Sequence, residues 1–465
     1  MLGNGRVRPL AWVGPGVLVA ATGVGAGDLA TAAFTGNALG VAVLWAVLVG
    51  AGIKYVLNEG LARWQLATGE TLLEGALGRL PVVLRVAFLG YFLVWSFLVA
   101  AALMSACGAT AHAILPLTGS AAGDKVLYGL LHGAAGVMLV RLGGYRLFER
   151  VMGGAIVLMV VTVVGTAVLV APDWGAVAAG LVVPRIPELA GGLGWTVALM
   201  GGVGGTLTVL CYGYWMREEG RVGPEELGPS RLDLGLGYAV TALFGVAMVI
   251  VGSTVAVEGR GAGLIVTLAD RLEGALGPAG RWAFLAGGWA AVASSLLGVW
   301  QSVPYLFADQ WRLLGRGGDR AGSGLPGDLE GGSGDATGAT DDSGAPVAGP
   351  GPVAGPGDTR PRDATSPPRA SDRVAAVVDT AARPYRLFLY ALPTVSAVGL
   401  LVGFSAMQRL YAVTGALFMP LLAATLLVLG HPRRIGLAHR NRPVTQAVLV
   451  AILVFFTALL WRAVG

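Results

Sequence analysis

Charged side chains are scarce in this sequence. They make up 13% of the 465 residues, whereas 55% are hydrophobic and the mean hydropathy is +0.70. Soluble domains carry about 25% charged residues, so a fold that needs a large polar surface is excluded. The composition predicts an all-α integral membrane protein, and the net charge of +5 is read against membrane topology rather than as a sign of nucleic-acid binding.

Cysteine and histidine are also rare. The two cysteines, Cys107 and Cys211, lie in apolar runs, which excludes a disulfide scaffold and a thiolate metal cage. The four histidines lack the spacing of a zinc site. Since the chain also shows no nucleophile and base pair and no cofactor fingerprint, we expect neither an enzyme nor a bound cofactor.

Long charge-poor runs fill most of the chain. A run of about 20 apolar residues spans the hydrocarbon core as a helix. Residues 8–54 hold two such runs, divided at residues 35–40. The other nine predicted spans lie in residues 85–124, 125–141, 150–173, 188–217, 233–258, 281–309, 386–409, 409–433 and 442–462.

The distribution of Lys and Arg predicts the orientation. With the N-terminus inside, most of these residues fall in cytoplasmic segments, as the positive-inside rule requires. We therefore expect a multi-pass protein of the cell (inner) membrane with a cytoplasmic N-terminus and an external C-terminus.

The composition changes at residues 315–383, where Gly, Pro, Ala, Ser and Asp dominate. Such a segment cannot bury a core. The predicted organisation is therefore spans 1 to 8 in residues 1–314, a disordered cytoplasmic loop in residues 315–383, and spans 9 to 11 in residues 384–465.

Two spans contain a glycine-rich cluster near their middle, at residues 23–28 in span 1 and 201–206 in span 6. Glycine costs about 1 kcal/mol in a helix interior, and clusters in corresponding halves favour two discontinuous helices that face each other at a binding site. Close packing of helices through small residues is the alternative.

Asp28 is the one acidic residue in spans 1 and 2. A carboxylate at mid-membrane costs about 2.5 to 3.5 kcal/mol on insertion scales and marks a candidate functional site. It is suited to bind a cation, a hydroxylated substrate or a coupling proton. Capping the second half of span 1 is the alternative role.

Three segments carry a family resemblance. Residues 14–20 with 28–31, residues 62–70 and residues 293–298 resemble the first, second and eighth helices of Nramp-type divalent-metal transporters. The resemblance implies eleven transmembrane helices in a LeuT-type fold, with 5+5 inverted repeats and discontinuous helices 1 and 6.

The chain departs from the Nramp pattern at the metal site. Where the family has Asp-Pro-Gly-Asn, this sequence has Gly25-Ala26-Gly27-Asp28, and Met-Pro-His falls on Gly205-Thr206-Leu207. The lost thioether is the ligand that favours soft transition metals. Residues 86–115 hold no acidic residue, so the family's acidic proton route in span 3 is absent as well.

These losses predict a roomier pocket suited to a small polar organic solute, with a glucose-like sugar as the leading expectation. The alternatives are transport of hydrated Mg²⁺ or Mn²⁺ at Asp28, with or without a coupling proton, and a non-transporting solute sensor. The predicted substrate-binding residues are Thr22, Gly25, Asp28, Trp95, Gly202, Gly205, Thr206, Ser295, Gln301, Gln408 and Tyr411.

Alternating charges end span 6 at residues 217–221. They are suited to form an inner gate by pairing with Lys54, Glu59 or Arg63. A solvated interfacial belt is the commoner explanation of such a segment.

Overall fold

The structure, a computed structural model, describes residues 14–170, 172–189, 191–254, 263–322 and 379–464. Within these ranges the chain is helical and has no strand. The α-helices in chain order are α1 Pro15–Gly23, α2 Ala26–Leu39, α3 Leu44–Thr68, α4 Leu72–Leu77, α5 Val82–Ile114, α6 Ala121–Leu169, α7 Trp174–Val182, α8 Gly192–Gly202, α9 Cys211–Glu218, α10 Leu227–Thr254, α11 Gly263–Gly322, α12 Arg383–Ser396, α13 Phe404–Leu429, α14 Pro432–Ile435 and α15 Pro443–Val464.

Eight helical stretches of the described chain are long and apolar enough to cross a membrane. They are Leu29–Thr68, Val82–Ile114, Ala121–Leu169, Gly192–Glu218, Pro224–Thr254, Val266–Gly315, Arg383–Leu401 and Leu410–Leu429, with a shorter apolar stretch at Pro443–Ala458. The prediction of an all-helical membrane protein is therefore confirmed.

Some predicted spans are joined into continuous helical stretches. A 3₁₀-helix, Gly40–Val43, links α2 to α3, at the place where spans 1 and 2 were expected to divide. Predicted spans 4 and 5 both lie in α6, which bends at Gly144. The helix α11 bends at Gly277 and continues beyond residue 315 to Gly322. Of the rest of the predicted loop, residues 323–378 lie outside the described residues and residues 379–383 precede or begin α12.

The helices pack in two main groups. In the first, α10 packs against α1, α2 and α3, and α8 packs against α2 and α3. In the second, α5, α6 and α11 pack against one another, and α12 packs against α11 and α5. The helix α1 also contacts α11, so the candidate site lies where the two groups meet.

Candidate functional site

The first helix is interrupted where the first glycine cluster predicts. The helix α1 ends at Gly23 and α2 begins at Ala26, with Gly25 in an extended conformation between them. Asp28 therefore lies in the first turn of α2, where the helix dipole favours a carboxylate.

The helical stretch Gly192–Glu218, where span 6 was predicted, is interrupted in the same way. The helix α8 ends at Gly202, and a 3₁₀-helix, Leu207–Leu210, leads into α9. Between them Gly204 and Gly205 have φ angles of +81° and +78°, a conformation that glycine adopts at little cost. Both discontinuous helices are thus present, and their positions match the prediction.

The two interruptions touch. A Cβ atom on Gly23 would lie 2.6 Å from the carbonyl oxygen of Gly204 and 2.7 Å from the amide nitrogen of Gly205. No side chain fits at that distance, so glycine at position 23 allows backbone to pack on backbone.

The helix α11, where span 8 was predicted, contacts the end of α1. Ser295 in α11 donates a hydrogen bond of 2.6 Å from its hydroxyl to the carbonyl oxygen of Thr22. One turn further along, a Cβ atom on Gly298 would lie 2.5 Å from Cγ2 of Thr22. On the other side, a Cβ atom on Gly25 would lie 2.6 Å from the Ser295 hydroxyl oxygen. The predicted residues Thr22, Gly25 and Ser295 are therefore brought together.

Two threonine hydroxyls at the second interruption have no hydrogen-bond partner in the described part of the chain. Thr206 is 7% exposed and Thr208 is 2% exposed, and neither hydroxyl oxygen has a partner among the described residues. Buried polar atoms are nearly always satisfied by protein, water or an ion. These two hydroxyls therefore indicate a place for water or a ligand beside the contact between the interruptions.

Lys54 is the site residue that the sequence reasoning missed. It is fully buried in α3, and its ammonium group donates to the carbonyl oxygen of Gly205 and to the sulfur of Met419. These two contacts turn the Lys54 ammonium group to the second interruption, whereas the sequence suggested that it pairs with the charges of residues 217–221. The sequence feature that could have identified Lys54 is its isolation: it is a single lysine near the middle of the helix α3, not at the end of the helix.

The other predicted residues have different surroundings. Gly202 lines a small cavity beside the interruptions. Trp95 and Tyr411 pack together with their ring centroids 6.4 Å apart, and the Trp95 ring nitrogen has no partner among the described residues. The side chains of Asp28 and Gln408 lie outside the described part of the structure.

Gln301 has a structural partner instead of a place at the interruptions. Its side-chain oxygen accepts a hydrogen bond of 2.5 Å from the ring nitrogen of Trp215, and its side-chain nitrogen donates to Tyr305 at 3.2 Å. It lies about 9 Å along α11 from Ser295, at 1.5 Å of rise per residue. These contacts join Gln301 to an aromatic side chain of α9 and to another of its own helix.

A partly buried charged cluster lies at the end of α9, and we call Glu74, Arg217, Asp309 and Arg312 the gate cluster. Glu74 lies 2.5 Å from both Arg217 and Arg312, and Arg312 lies 2.6 Å from Asp309. Tyr214 donates to Asp309 at 2.7 Å. The cluster joins α4, α9 and α11.

The other charges of residues 217–221 are also paired. Glu218 accepts a hydrogen bond from Tyr305, and Arg221 pairs with Glu219 and Asp233. Asp233 in turn accepts from the backbone amide of Gly16, at the start of α1, at 2.7 Å. These contacts favour the gate hypothesis over a solvated belt, with partners that differ from the predicted ones.

The expectation of a roomy pocket is not met where the interruptions touch. The cavity lined by Val24, Gly202 and Val203 has a volume of about 10 Å³, which is about the space of one water molecule. The glycines at positions 23, 204 and 205 serve close approach, the alternative named for the clusters. No group of three or more His, Cys, Asp or Glu side chains that could hold a metal ion occurs in the described part of the chain.

Known proteins share this fold and sequence pattern. The divalent metal cation transporter MntH of Yersinia pestis (strain Pestoides F) is 27% identical over 208 residues, which are 41% of this chain and 47% of that protein. The MntH of Aeromonas hydrophila is 26% identical over 261 residues, 52% of this chain and 59% of that protein. The chain thus spans about half the length of the curated relatives it matches.

Solved structures extend the likeness to the whole fold. A mutant of the manganese transporter of Eremococcus coleocola matches 96% of this chain and 85% of its own, with a TM-score of 0.62 and 16% sequence identity. The family described as natural resistance-associated macrophage protein-like (Nramp) matches residues 16–314. Because that match covers more than half of the sequence and includes both helix interruptions, the chain belongs to the Nramp family.

Proposed function

We propose that this protein is a secondary transporter that carries a divalent cation across the membrane by alternating access, with the cation held largely through its own water ligands. The observation that carries the proposal is the backbone contact of Gly23 with Gly204 and Gly205, next to which the buried hydroxyls of Thr206 and Thr208 have no partner among the described residues. Carbonyl and hydroxyl oxygens are ligands for hard cations and for their bound water. The relatives named as divalent metal cation transporters support the same substrate class.

A hydrated ion fits this chain better than a bare one. Residues 25 and 205 are both glycine, so the side-chain ligands expected from the family motifs are missing at both interruptions. Asp28, in the first turn of α2, supplies one negative charge. Mg²⁺ dehydrates reluctantly and is usually bound by one or two carboxylates together with several waters, so we propose Mg²⁺ first and Mn²⁺ second.

The sugar that the sequence alone favoured is not supported. That prediction required a larger cavity at the emptied metal site, but Gly23 packs directly against Gly204 and Gly205. A water-sized space beside the interruptions can take single water ligands. A rigid sugar ring requires the two helices to separate by much more, since pockets for small organic molecules are about 300 to 1,000 Å³.

The proposed transport cycle uses the two packing groups. The group of α1, α2, α3, α8 and α10 would move against the group of α5, α6, α11 and α12, with the interruptions at the boundary. The gate cluster, which ties α9 to α4 and α11, would close one side. In this proposal the chain has eleven spans in two inverted repeats of five, with the N-terminus and residues 315–383 in the cytoplasm and the C-terminus outside.

Flux into proteoliposomes tests the proposal. Purified protein should carry Mg²⁺, followed with an internal fluorescent indicator, and should not carry labelled glucose. Asp28→Asn should reduce the Mg²⁺ flux at least about tenfold, because the remaining ligands are neutral. Asp270→Asn is the matched control, since Asp270 is 57% exposed and pairs with Arg281 at the protein surface.

Three outcomes would contradict the proposal. Glucose uptake without Mg²⁺ or Mn²⁺ flux would restore the sugar hypothesis. Saturable Mg²⁺ binding without flux would favour a solute sensor. Equal losses in Asp28→Asn and Asp270→Asn would show that the effect is not specific to the interruption.

A variant that lacks residues 323–378 should retain the flux if that segment is a tolerated insertion.

A further inference from the structure

The chain has only two lysines, Lys54 and Lys125. Lys54 is 0% exposed, and lysine is almost never fully buried unless it is paired. Its position near the middle of α3, within the candidate span Leu29–Thr68, makes this burial more costly, since a charge inside the membrane is expensive and marks a functional site by default.

The ammonium group of Lys54 is held by atoms that resemble the ligands of a metal ion. It lies 2.5 Å from the carbonyl oxygen of Gly205 and 3.2 Å from the sulfur of Met419. Gly205 belongs to the second helix interruption and Met419 to α13. The carbonyl in the interruption and the thioether on α13 thus contact the same ammonium group, as ligands would contact a metal ion.

The backbone at the interruption is shaped around this side chain. The positive φ angles of Gly204 and Gly205 release the Gly205 carbonyl from the helical hydrogen-bond ladder and turn it to the ammonium group. A Cβ atom on Gly204 would lie 3.3 Å from Cγ of Lys54. The Lys54 stem thus packs on one glycine while its charged end binds the carbonyl of the next.

The soft ligand is present, but at a different place from the one that the family motif indicates. Gly205 stands at the methionine position of the family motif and has no side chain, whereas the Met419 thioether, on α13, contacts the Lys54 ammonium group that binds the Gly205 carbonyl. A thioether favours soft transition metals over Mg²⁺. If Met419 were open to the transported ion, the site would select against the hard cation.

We propose that Lys54 is a tethered cation that sets the ion selectivity of the central site. Its ammonium group holds the Gly205 carbonyl and the Met419 thioether, so that a bare soft metal ion cannot bind there and a hydrated hard cation is taken instead. The positive charge of Lys54 acts in the same direction, because it repels an ion that sheds its water and approaches closely. This inference rests on the proposed transport of a divalent cation.

Isothermal titration of purified protein with Cd²⁺, a soft divalent ion, and with Mg²⁺ tests the inference. Lys54→Met replaces the ammonium with a neutral side chain of similar length and should tighten Cd²⁺ binding at least about tenfold relative to Mg²⁺. Lys54→Arg retains the charge and should show no such gain. Lys125→Met is the matched control, because Lys125 also donates to a backbone carbonyl, that of Val402, but at an exposed position.

Met419→Leu separates the role of the thioether from that of the charge. Combined with Lys54→Met it should remove the gain in Cd²⁺ binding, and alone it should leave the wild-type preference unchanged. Folding of each variant is checked by its thermal transition and elution profile, and Lys54→Gln serves as a second neutral variant if Lys54→Met does not fold.

The outcomes distinguish this inference from the proposed function. A folded neutral variant with the wild-type ratio of Cd²⁺ to Mg²⁺ affinity would overturn the role of Lys54. Wild-type protein that binds Cd²⁺ tightly, with binding lost in Met419→Leu, would overturn it without any Lys54 variant. Wild-type protein that transports neither divalent ion would overturn the proposed function, whereas a gain of Cd²⁺ binding in Lys54→Met would still support a tethered cation.

Discussion

The guanidinium group of Arg217 lies 2.5 Å from the carboxylate of Glu74 and joins the end of α9 to α4, with 7% and 10% of the two side chains exposed. Arg217 also donates to the carbonyl oxygen of Gly69 at 3.0 Å, and Glu74 also binds Arg312. The Glu74 carboxylate, on α4, thus binds both the last turn of α9 and the helix α11.

Neutralising Glu74 should destabilise the protein. Glu74→Gln leaves Arg217 buried without its anion, and removing one partner of a buried pair costs about 3 to 5 kcal/mol. We expect about 3 kcal/mol, since Arg217 retains the Gly69 carbonyl. The amide should keep the capping box with Thr71, so the loss reports the charge. Denaturation in detergent micelles measures it.

Glu70→Gln is the control for that variant. Glu70 pairs with Arg79 at 3.0 Å, but both side chains are more than 40% exposed, and exposed pairs contribute at most about 1 kcal/mol. A loss of equal size in the two variants would show that the Glu74 pair contributes no more than a surface pair.

The stability of the protein should also depend on Glu74 at acid pH. Burial raises the pKa of Glu74, but the Arg217 guanidinium, the Thr71 amide and Arg312 lower the pKa more, so that it lies below its ordinary value of 4.5. A carboxyl whose folded pKa is lowered contributes stability above its unfolded pKa, and this stability is lost as the pH falls through the folded value. Glu74→Gln should therefore flatten the fall of thermal stability that begins near pH 5.

Glu219 offers a comparison of opposite sign. Burial raises its pKa more than Arg221 lowers it, so its folded pKa lies above the unfolded one and its protonation favours the folded state. Glu219→Gln should leave the acid fall in place or steepen it. Identical pH profiles for wild type and Glu74→Gln would contradict the assignment of the acid fall to Glu74.

The interruptions of spans 1 and 6 could be predicted from sequence because glycine clusters are costly in helices wherever they occur. Whether such a cluster makes room or allows contact could not be predicted. That outcome depends on which backbone lies opposite, and residues 23 and 204 are far apart in the chain. A glycine cluster looks the same in the sequence whether it opens a cavity or allows two backbones to touch. For this reason the predicted pocket was too large.

The role of Lys54 could not be predicted because charge-poor runs were counted up to the nearest charge. This count ended span 2 at Lys54, whereas α3 continues to Thr68. A lysine at the end of a span extends its charge to the interface, but one in the middle must find a partner within the protein. The partners, Gly205 and Met419, lie on two distant segments that only the fold brings together.

A methyl group at the contact between the interruptions should block transport. A Cβ atom on Gly23 would lie 2.6 Å from the Gly204 carbonyl oxygen, and backbone atoms on both sides leave no flexible group to move aside. Gly23→Ala should therefore separate the interruptions, reduce cation flux at least about tenfold and lower the free energy of unfolding by about 1 to 3 kcal/mol, as overpacking does.

Gly52→Ala is the matched control for Gly23→Ala. Gly52 lies in α3, where a Cβ atom would meet no atom within 4 Å, so alanine should stabilise the helix by about 0.5 to 1 kcal/mol. Flux through Gly23→Ala at the wild-type rate would show that the two interruptions need not touch during the cycle.

Ser295 should support the end of α1 through one hydrogen bond. Its hydroxyl donates to the carbonyl oxygen of Thr22 on the other packing group at 2.6 Å, so Ser295→Ala leaves a buried carbonyl without that donor and should cost about 1 to 3 kcal/mol of stability.

Ser302 provides the control, because it is also buried in α11 but donates to the carbonyl oxygen of Gly298 in its own helix. Ser302→Ala should therefore cost less than Ser295→Ala and should leave cation flux unchanged, whereas Ser295→Ala should alter it, because the Ser295 bond links the two groups that move. Flux and denaturation of the two variants, measured side by side, decide this, and equal effects would mean that the bond to Thr22 acts only as an ordinary packing contact.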